Sequence, residues 1–333
     1  MLEIDGSYGE GGGQVIRTAI AMSAIKQVPI RIINIRANRS KPGLQAQHLT
    51  GVKAAAELCN AKVSGAELGS TELTFEPGKI RFGKFRFDIG TAGAITLVLQ
   101  TIIPIAAFAP SKTKFEIIGG TNVLHAPPIE YFQNIFCDYA EKFGLLITCE
   151  VEKHGFYPKG GGKVTIEVHQ VKEQKQIKLT ERGELLNVKV NSIASEDLKA
   201  AGVADRQVAG FKQDMKPEFI IKAFTRYVDT LSTGSSIYAH ALYSNCKLGC
   251  SALGERGKKA EDVGRECAAG LMKEVDSKAT VDKHMADQLI PFLGLLGGSF
   301  VTSEITEHTK TNVWVVEKFV EKKFNLEGNK IAV

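Results

Sequence analysis

The sequence predicts an α/β fold built from three repeated helix-strand-helix-strand-strand units, with a smaller α/β domain inserted between the second and third. Three observations carry that prediction. The apolar period switches between 3.6 and 2 in the same order three times. Residues 181–276 break the order and carry more charge than the rest. The 333 residues, 44% hydrophobic and 24% charged, are enough for one large domain or two ordinary ones with ample core.

The first unit opens with an apolar helix over 11–25 (GGGQVIRTAIAMSAI) and a β-branched strand over 30–36. A polar loop, ANRSKPG, leads to a helix over 44–59 and two strands within 61–68 and 70–77. The second unit runs as a helix over 91–109, a strand over 114–120, the loop TNVLHAPP, a helix over 129–143 and strands within 145–155 and 163–171. The third reads helix (284–297), strand (299–306), the loop EHTKTN, a helix over 313–323 and two short strands at the end. Between them, strands at 185–194 and 234–244 and helices at 206–215 and 260–275 describe the insert. Folded domains tolerate such insertions in surface connections. The expected domains are therefore 1–180 with 277–333, and 181–276.

Forty-two Lys and Arg against 37 Asp and Glu leave a net charge of +5. That excludes a histone-like tail and allows a local basic cleft. If the units pack around a common axis, their strand-to-helix loops meet at one end, bringing together Arg36, Arg39 and Lys41, His125 and Pro127, and His308 and Lys310. No apolar run approaches the ~20 residues of a membrane span. The N-terminal residues have no secretory pattern. The six cysteines show no CxxC spacing, so a reduced cytoplasmic protein without a metal scaffold is expected.

Several residues could carry chemistry. Gly9-Glu10-Gly11-Gly12-Gly13-Gln14 opens a helix, where glycines serve either tight packing or an anion cradle. It is neither a Walker A nor a GxGxxG pattern. Glu10 either complements the helix dipole or holds a divalent cation beside a phosphate. Arg17, Arg36, Arg39, Gln47 and His48 surround the first loop, and the planar guanidinium fork suits phosphate oxygens. Gln100, inside an apolar helix, is either a paired core amide or a cleft residue. His308 is a loop histidine, at the surface or at a reaction centre, and Asp287 is within reach of His284 at i+3.

Together these segments resemble the RNA 3′-terminal phosphate cyclases. The resemblance rests on Gly9–Arg17, Ile35–Arg39 with Lys41–Leu44, and Gln47-His48-Leu49. It continues through Ala126-Pro127-Pro128 and Ala286-Asp287-Gln288-Leu289, and most specifically through His154-Gly155-Phe156-Tyr157-Pro158-Lys159-Gly160-Gly161-Gly162. It implies βαβαββ-like units similar to those of enolpyruvyl transferases, and a thioredoxin-like insert. It also implies ATP-dependent conversion of an RNA 3′-phosphate end to a 2′,3′-cyclic phosphodiester, through AMP carried on a histidine at the position of His308. The resemblance assigns Gln100, Pro127, Tyr131, His284, Met285, Ala286, Asp287 and Gln288 to the nucleotide. It gives Arg17, Arg36, Arg39, Gln47 and His48 to RNA or phosphate, and Glu10 to Mg²⁺ or Mn²⁺. Where bacterial relatives stack a tyrosine on adenine, this chain has His284, which offers less area. A homodimer is left open.

The competing expectation is a cyclase-like ribosome-biogenesis protein without catalysis, which is not expected to keep the nucleophilic histidine. An enolpyruvyl transferase would need more repeats, and a generic RNA-binding module would show RNP aromatics or a strong basic excess.

Overall fold

The computed structural model describes residues 1–171, 173 and 175–333. In chain order, β1 (Leu2–Asp5), α1 (Gln14–Lys26), β2 (Ile30–Ile33), α2 (Ala46–Cys59), β3 (Lys62–Ser64) and β4 (Leu73–Glu76) come first. Next are β5 (Gly83–Asp88), α3 (Ile95–Ala107) and β6 (Thr113–Gly119). A continuous helical stretch then consists of α4 (Ile129–Tyr131), a π segment (Phe132–Phe136) and α5 (Cys137–Lys142), before β7 (Ile147–Lys153) and β8 (Gly162–Val168). β9 (Ile177–Leu179) precedes β10 (Leu185–Ser195), α6 (Val203–Gln213), β11 (Ile221–Val228), β12 (Ser235–Tyr243), β13 (Lys247–Leu253) and α7 (Ala260–Asp276). The chain ends with α8 (Lys283–Leu296), β14 (Gly298–Val301), α9 (Glu307–Val316), β15 (Asn325–Glu327) and β16 (Lys330–Ala332).

The result is a mixed α/β fold, with four four-stranded sheets among the described residues. Three of them share one strand order: β1-β2-β4-β3, β5-β6-β8-β7 and β9-β14-β16-β15. In each, the first pair is parallel and the other two are antiparallel. The fourth sheet, β11-β10-β12-β13, has its own helices, α6 and α7, packed together and against it.

Helices α1 and α3 explain the centre. Both are apolar or small on nearly every side, as expected of a helix that is covered all round. α1 packs against α2, α3 and α9, and α8 against α9 and α3. α1 starts at Gly13 without a side-chain cap and ends at Gln27 in the left-handed conformation. Among the described residues, no helix is long and apolar enough to cross a membrane.

Two expectations needed correction. The segment EHTKTN is not a loop. The Thr306 side chain accepts a hydrogen bond from the Thr309 backbone N–H, so α9 begins at Glu307 and runs only to Val316. The short strands β1, β5 and β9, which precede the first helix on each like-ordered sheet, were absent from the sequence reading, as were β11 and β13.

Candidate active site

A cleft of about 1000 Å³ opens where the Gly9–Gly13 turn, the loop after β2, α3, the loop after β6, β13 and the first turns of α8 and α9 converge. It collects Glu10, Arg17, Arg36, Arg39, Gln47 and His48, together with Gln100, Pro127, Tyr131, His284, Asp287, Gln288 and His308. Met285 and Ala286 are not on its wall: both side chains are fully buried beneath the start of α8.

His308 is the second residue of α9. Its Nε2 lies 3.1 Å from Glu10 Oε2. Its Nδ1 is enclosed and has no hydrogen-bond partner among the described residues. Burial holds its pKa below the usual histidine value; Glu10 opposes that, and Arg17 and Arg39 reinforce it. The helix N-terminus acts in the same direction as the arginines. These influences favour the neutral imidazole, the form that has a lone pair to donate.

The same Glu10 Oε2 accepts a hydrogen bond from Arg39 Nη2 at 2.9 Å. Two groups, one from the first loop and one from α9, thus share one carboxylate oxygen of the turn. Among the described residues no cluster of three or more His, Cys, Asp or Glu could hold a metal unaided. The Glu10 carboxylate is the one acidic group at this junction that could contribute to holding a divalent cation, with the remaining ligands coming from substrate oxygens and water.

The glycines of the turn allow the close approach of neighbouring side chains. A Cβ on Gly13 would sit 2.2 Å from His48 Nε2, one on Gly12 2.8 Å from Arg39 Nη2, and one on Gly11 2.5 Å from Asn38 Nδ2. Gly9 and Gly11 also have positive φ, +61° and +56°. The run lets polar side chains crowd onto the start of α1.

Arg17 is buried and donates to Gln14 Oε1, while its Nε is unpartnered among the described residues. Burial brings its pKa down to about 10, against the pull of Asp287. Asp287 moves the other way, up to about 7, through burial opposed by Arg17. His48 is pushed down to about 3 by burial and by Arg17 and Arg36. Arg36 Nη1 donates to the carbonyls of Lys41 and Gly43, which folds the loop back on itself. Gln47 Oε1 accepts from the Ala94 N–H, tying α2 to the start of α3. Gln100 faces the cleft, and its Oε1 has no partner among the described residues.

The family of this chain is decided by comparison with known proteins. The profile described as RNA 3′-terminal phosphate cyclase matches residues 8–326. The chain belongs to the RNA 3′-terminal phosphate cyclase family. It is 46% identical over 329 residues to the RNA 3′-terminal phosphate cyclase of Pyrococcus abyssi, covering 98% of this chain and 96% of that one. It is 44% identical to the one of Archaeoglobus fulgidus over the whole of both chains. It is 41% identical to the one of Methanopyrus kandleri, covering 98% of this chain and 96% of that one. Membership makes it an enzyme of the ligase class.

Against that family background, two structural residues escaped the sequence reading. Asp282 caps α8, accepting from the N–H groups of His284 and Met285. It also accepts from Tyr131 Oη at 2.6 Å and from the Gly249 N–H at 3.0 Å. It therefore fixes the helix start, one wall of the cleft and β13 together, and Tyr131 uses its hydroxyl internally. Asn312 accepts from Thr18 Oγ1 and donates to the Asp287 carbonyl, locking α9 to α1 and α8. An Asp just before an apolar helical run is a cap signal that could have found the first. Cys250–Leu253 of β13 and its following turn also line the cleft, a contribution from the fourth sheet that the motifs did not show. The cyclase-like segment His154–Gly162 stands apart from the cleft, packed against the turn at Leu231–Gly234.

Proposed function

We propose that the chain uses ATP to convert an RNA 3′-phosphate end to a 2′,3′-cyclic phosphodiester, releasing AMP and pyrophosphate, in the cytoplasm. The observation that carries this reading is the meeting of His308, Glu10 and Arg39 on one cleft, in a chain of the cyclase family. His308 Nε2 attacks the α-phosphorus of ATP, and the bond to pyrophosphate breaks. An oxygen of the RNA 3′-phosphate then attacks the same phosphorus, freeing the imidazole and leaving RNA capped by AMP through a diphosphate. The vicinal 2′-OH finally attacks the RNA phosphorus and AMP leaves.

The chain's own groups account for each need. The nucleophilic tautomer carries its proton on Nδ1, so the contact of Nε2 with Glu10 is released before the attack. Arg17, Arg36, Arg39, Gln47 and His48 receive the terminal phosphate, where positive charge stabilises the developing negative charge. Gln100, Pro127, Tyr131, His284 and Asp287–Gln288 frame the nucleotide, with Met285 and Ala286 supporting them from beneath. A divalent cation held by Glu10 and the phosphates supplies further charge neutralisation.

The three like-ordered sheets are read as three copies of one unit, residues 1–180 with 277–333, arranged as in enolpyruvyl transferases. Residues 181–276 are read as a thioredoxin-like insert. The shared strand order supports the first and the separate fourth sheet the second. The test is incubation of a 3′-phosphorylated oligoribonucleotide with ATP and Mg²⁺. The reading requires a phosphatase-resistant cyclic end and one AMP per end formed. A terminus that stays phosphatase-sensitive contradicts it.

A further inference from the structure

Outside the cleft, the most unusual surface feature is an aromatic stack that none of the roles above uses. The rings of Tyr8 and Trp314 lie 3.9 Å apart, centroid to centroid, and within 6° of parallel. The Lys318 ammonium sits 4.3 Å from the Trp314 ring centroid. Two groups that close to one ring occupy opposite faces, so Trp314 is sandwiched between a cation and Tyr8. The other face of Tyr8 has no stacked ring among the described residues, and Tyr8 remains 42% exposed.

The stack is attached to the reaction centre at both ends. Tyr8 is two residues from Glu10, and its carbonyl accepts from the Gly11 N–H. Trp314 lies on the same helix as His308, about 9 Å further along its axis at 1.5 Å per residue. Gly9 seals the two segments, since a Cβ there would meet Thr311 Oγ1 at 2.4 Å. On the other flank, Asn38 donates to the Ser7 carbonyl and so joins the Arg36–Lys41 loop to the Tyr8 segment. A rigid, exposed ring beside a basic loop is how proteins grip single-stranded nucleic acid without reading its sequence: bases stack and the backbone follows positive charge.

We propose that the exposed face of Tyr8 is a subsite for a base upstream of the RNA's terminal phosphate, held by stacking on the preformed Tyr8–Trp314 pair. This rests on the cyclase reading above. The subsite discriminates by chain length rather than by sequence, because every base has a π face.

The test compares a 3′-phosphorylated oligouridylate of about ten residues with uridine 3′-monophosphate, in wild type, Tyr8→Ala and Tyr8→Phe. We expect Tyr8→Ala to raise KM for the oligomer by about tenfold, with kcat held, and Tyr8→Phe to restore it. KM for the mononucleotide and labelling of the protein by ATP should not move. The sole tryptophan reports binding directly: its fluorescence should change when the oligomer is added and stay constant with the mononucleotide. An unchanged oligomer KM in Tyr8→Ala overturns the subsite, as does an equal rise for both substrates. A change in sedimentation with no change in KM would make the patch a contact between copies of the chain, and also overturns it. Failure of wild type to cyclise either substrate would count against the cyclase reading itself, a distinct result.

Discussion

Two glycine-rich segments dominate the sequence, and the structure uses them differently. In Gly9–Gly13, the atoms that a Cβ would strike belong to side chains: Thr311, Asn38, Arg39 and His48. In His154–Gly162 they are mostly backbone. A Cβ on Gly155 would meet Gly162 N at 2.3 Å and Gly119 O at 2.7 Å, and one on Gly160 would meet Thr91 O at 2.8 Å. The first run draws functional groups together at the mouth of a cleft. The second lets three stretches of main chain pack, and holds Phe156 against Gly234. The segment that resembles the family most specifically is thus a packing element, while the less specific one borders the cleft.

The sharpest way to break this contrast is Gly155→Ala. Its Cβ has only backbone to displace, so we expect a loss of about 3 kcal/mol of stability, with the kcat/KM of the remaining folded enzyme near wild type. Denaturant unfolding together with assays on the folded fraction would check this. Gly13→Ala should do the reverse. The methyl group displaces His48 and crowds Arg17, lowering kcat/KM by at least about tenfold while costing less stability than Gly155→Ala. If the two variants traded profiles, the comparison would be wrong.

A smaller effect sharpens the chemical side. Glu10 raises the His308 pKa against burial and the arginines. Removing its charge in Glu10→Gln therefore lowers that pKa further. In a pH profile of protein labelling by ATP, the acidic limb, where protonation removes the nucleophile, should move to lower pH. Movement to higher pH would mean that another group sets the limb.

Much of the fold was legible because it rests on local pattern. The central helices α1 and α3 and the inner strands β2 and β6 follow from apolar runs of unmistakable period. The strands β1 and β9, of four and three residues, are too short to show one. The start of α9 was misread because Thr306 sets it through a cap, whereas the apolar residues begin only at Val313. At the site, thirteen of the fifteen candidate residues do line one cleft, the exceptions being Met285 and Ala286. The capping role of Asp282 is legible in the sequence, but its role as a junction is not. Its partners Tyr131 and Gly249 are 151 and 33 residues away, so only tertiary structure reveals the junction.

The account's central claim is that the neutral imidazole of His308 carries AMP. It is tested most directly by incubating the protein with Mg²⁺ and ATP labelled at the α-phosphate, then tracing the label by peptide mapping. We expect one acid-labile label per chain, on His308, absent in His308→Ala. An unlabelled wild type, or a label that persists in His308→Ala, would contradict it.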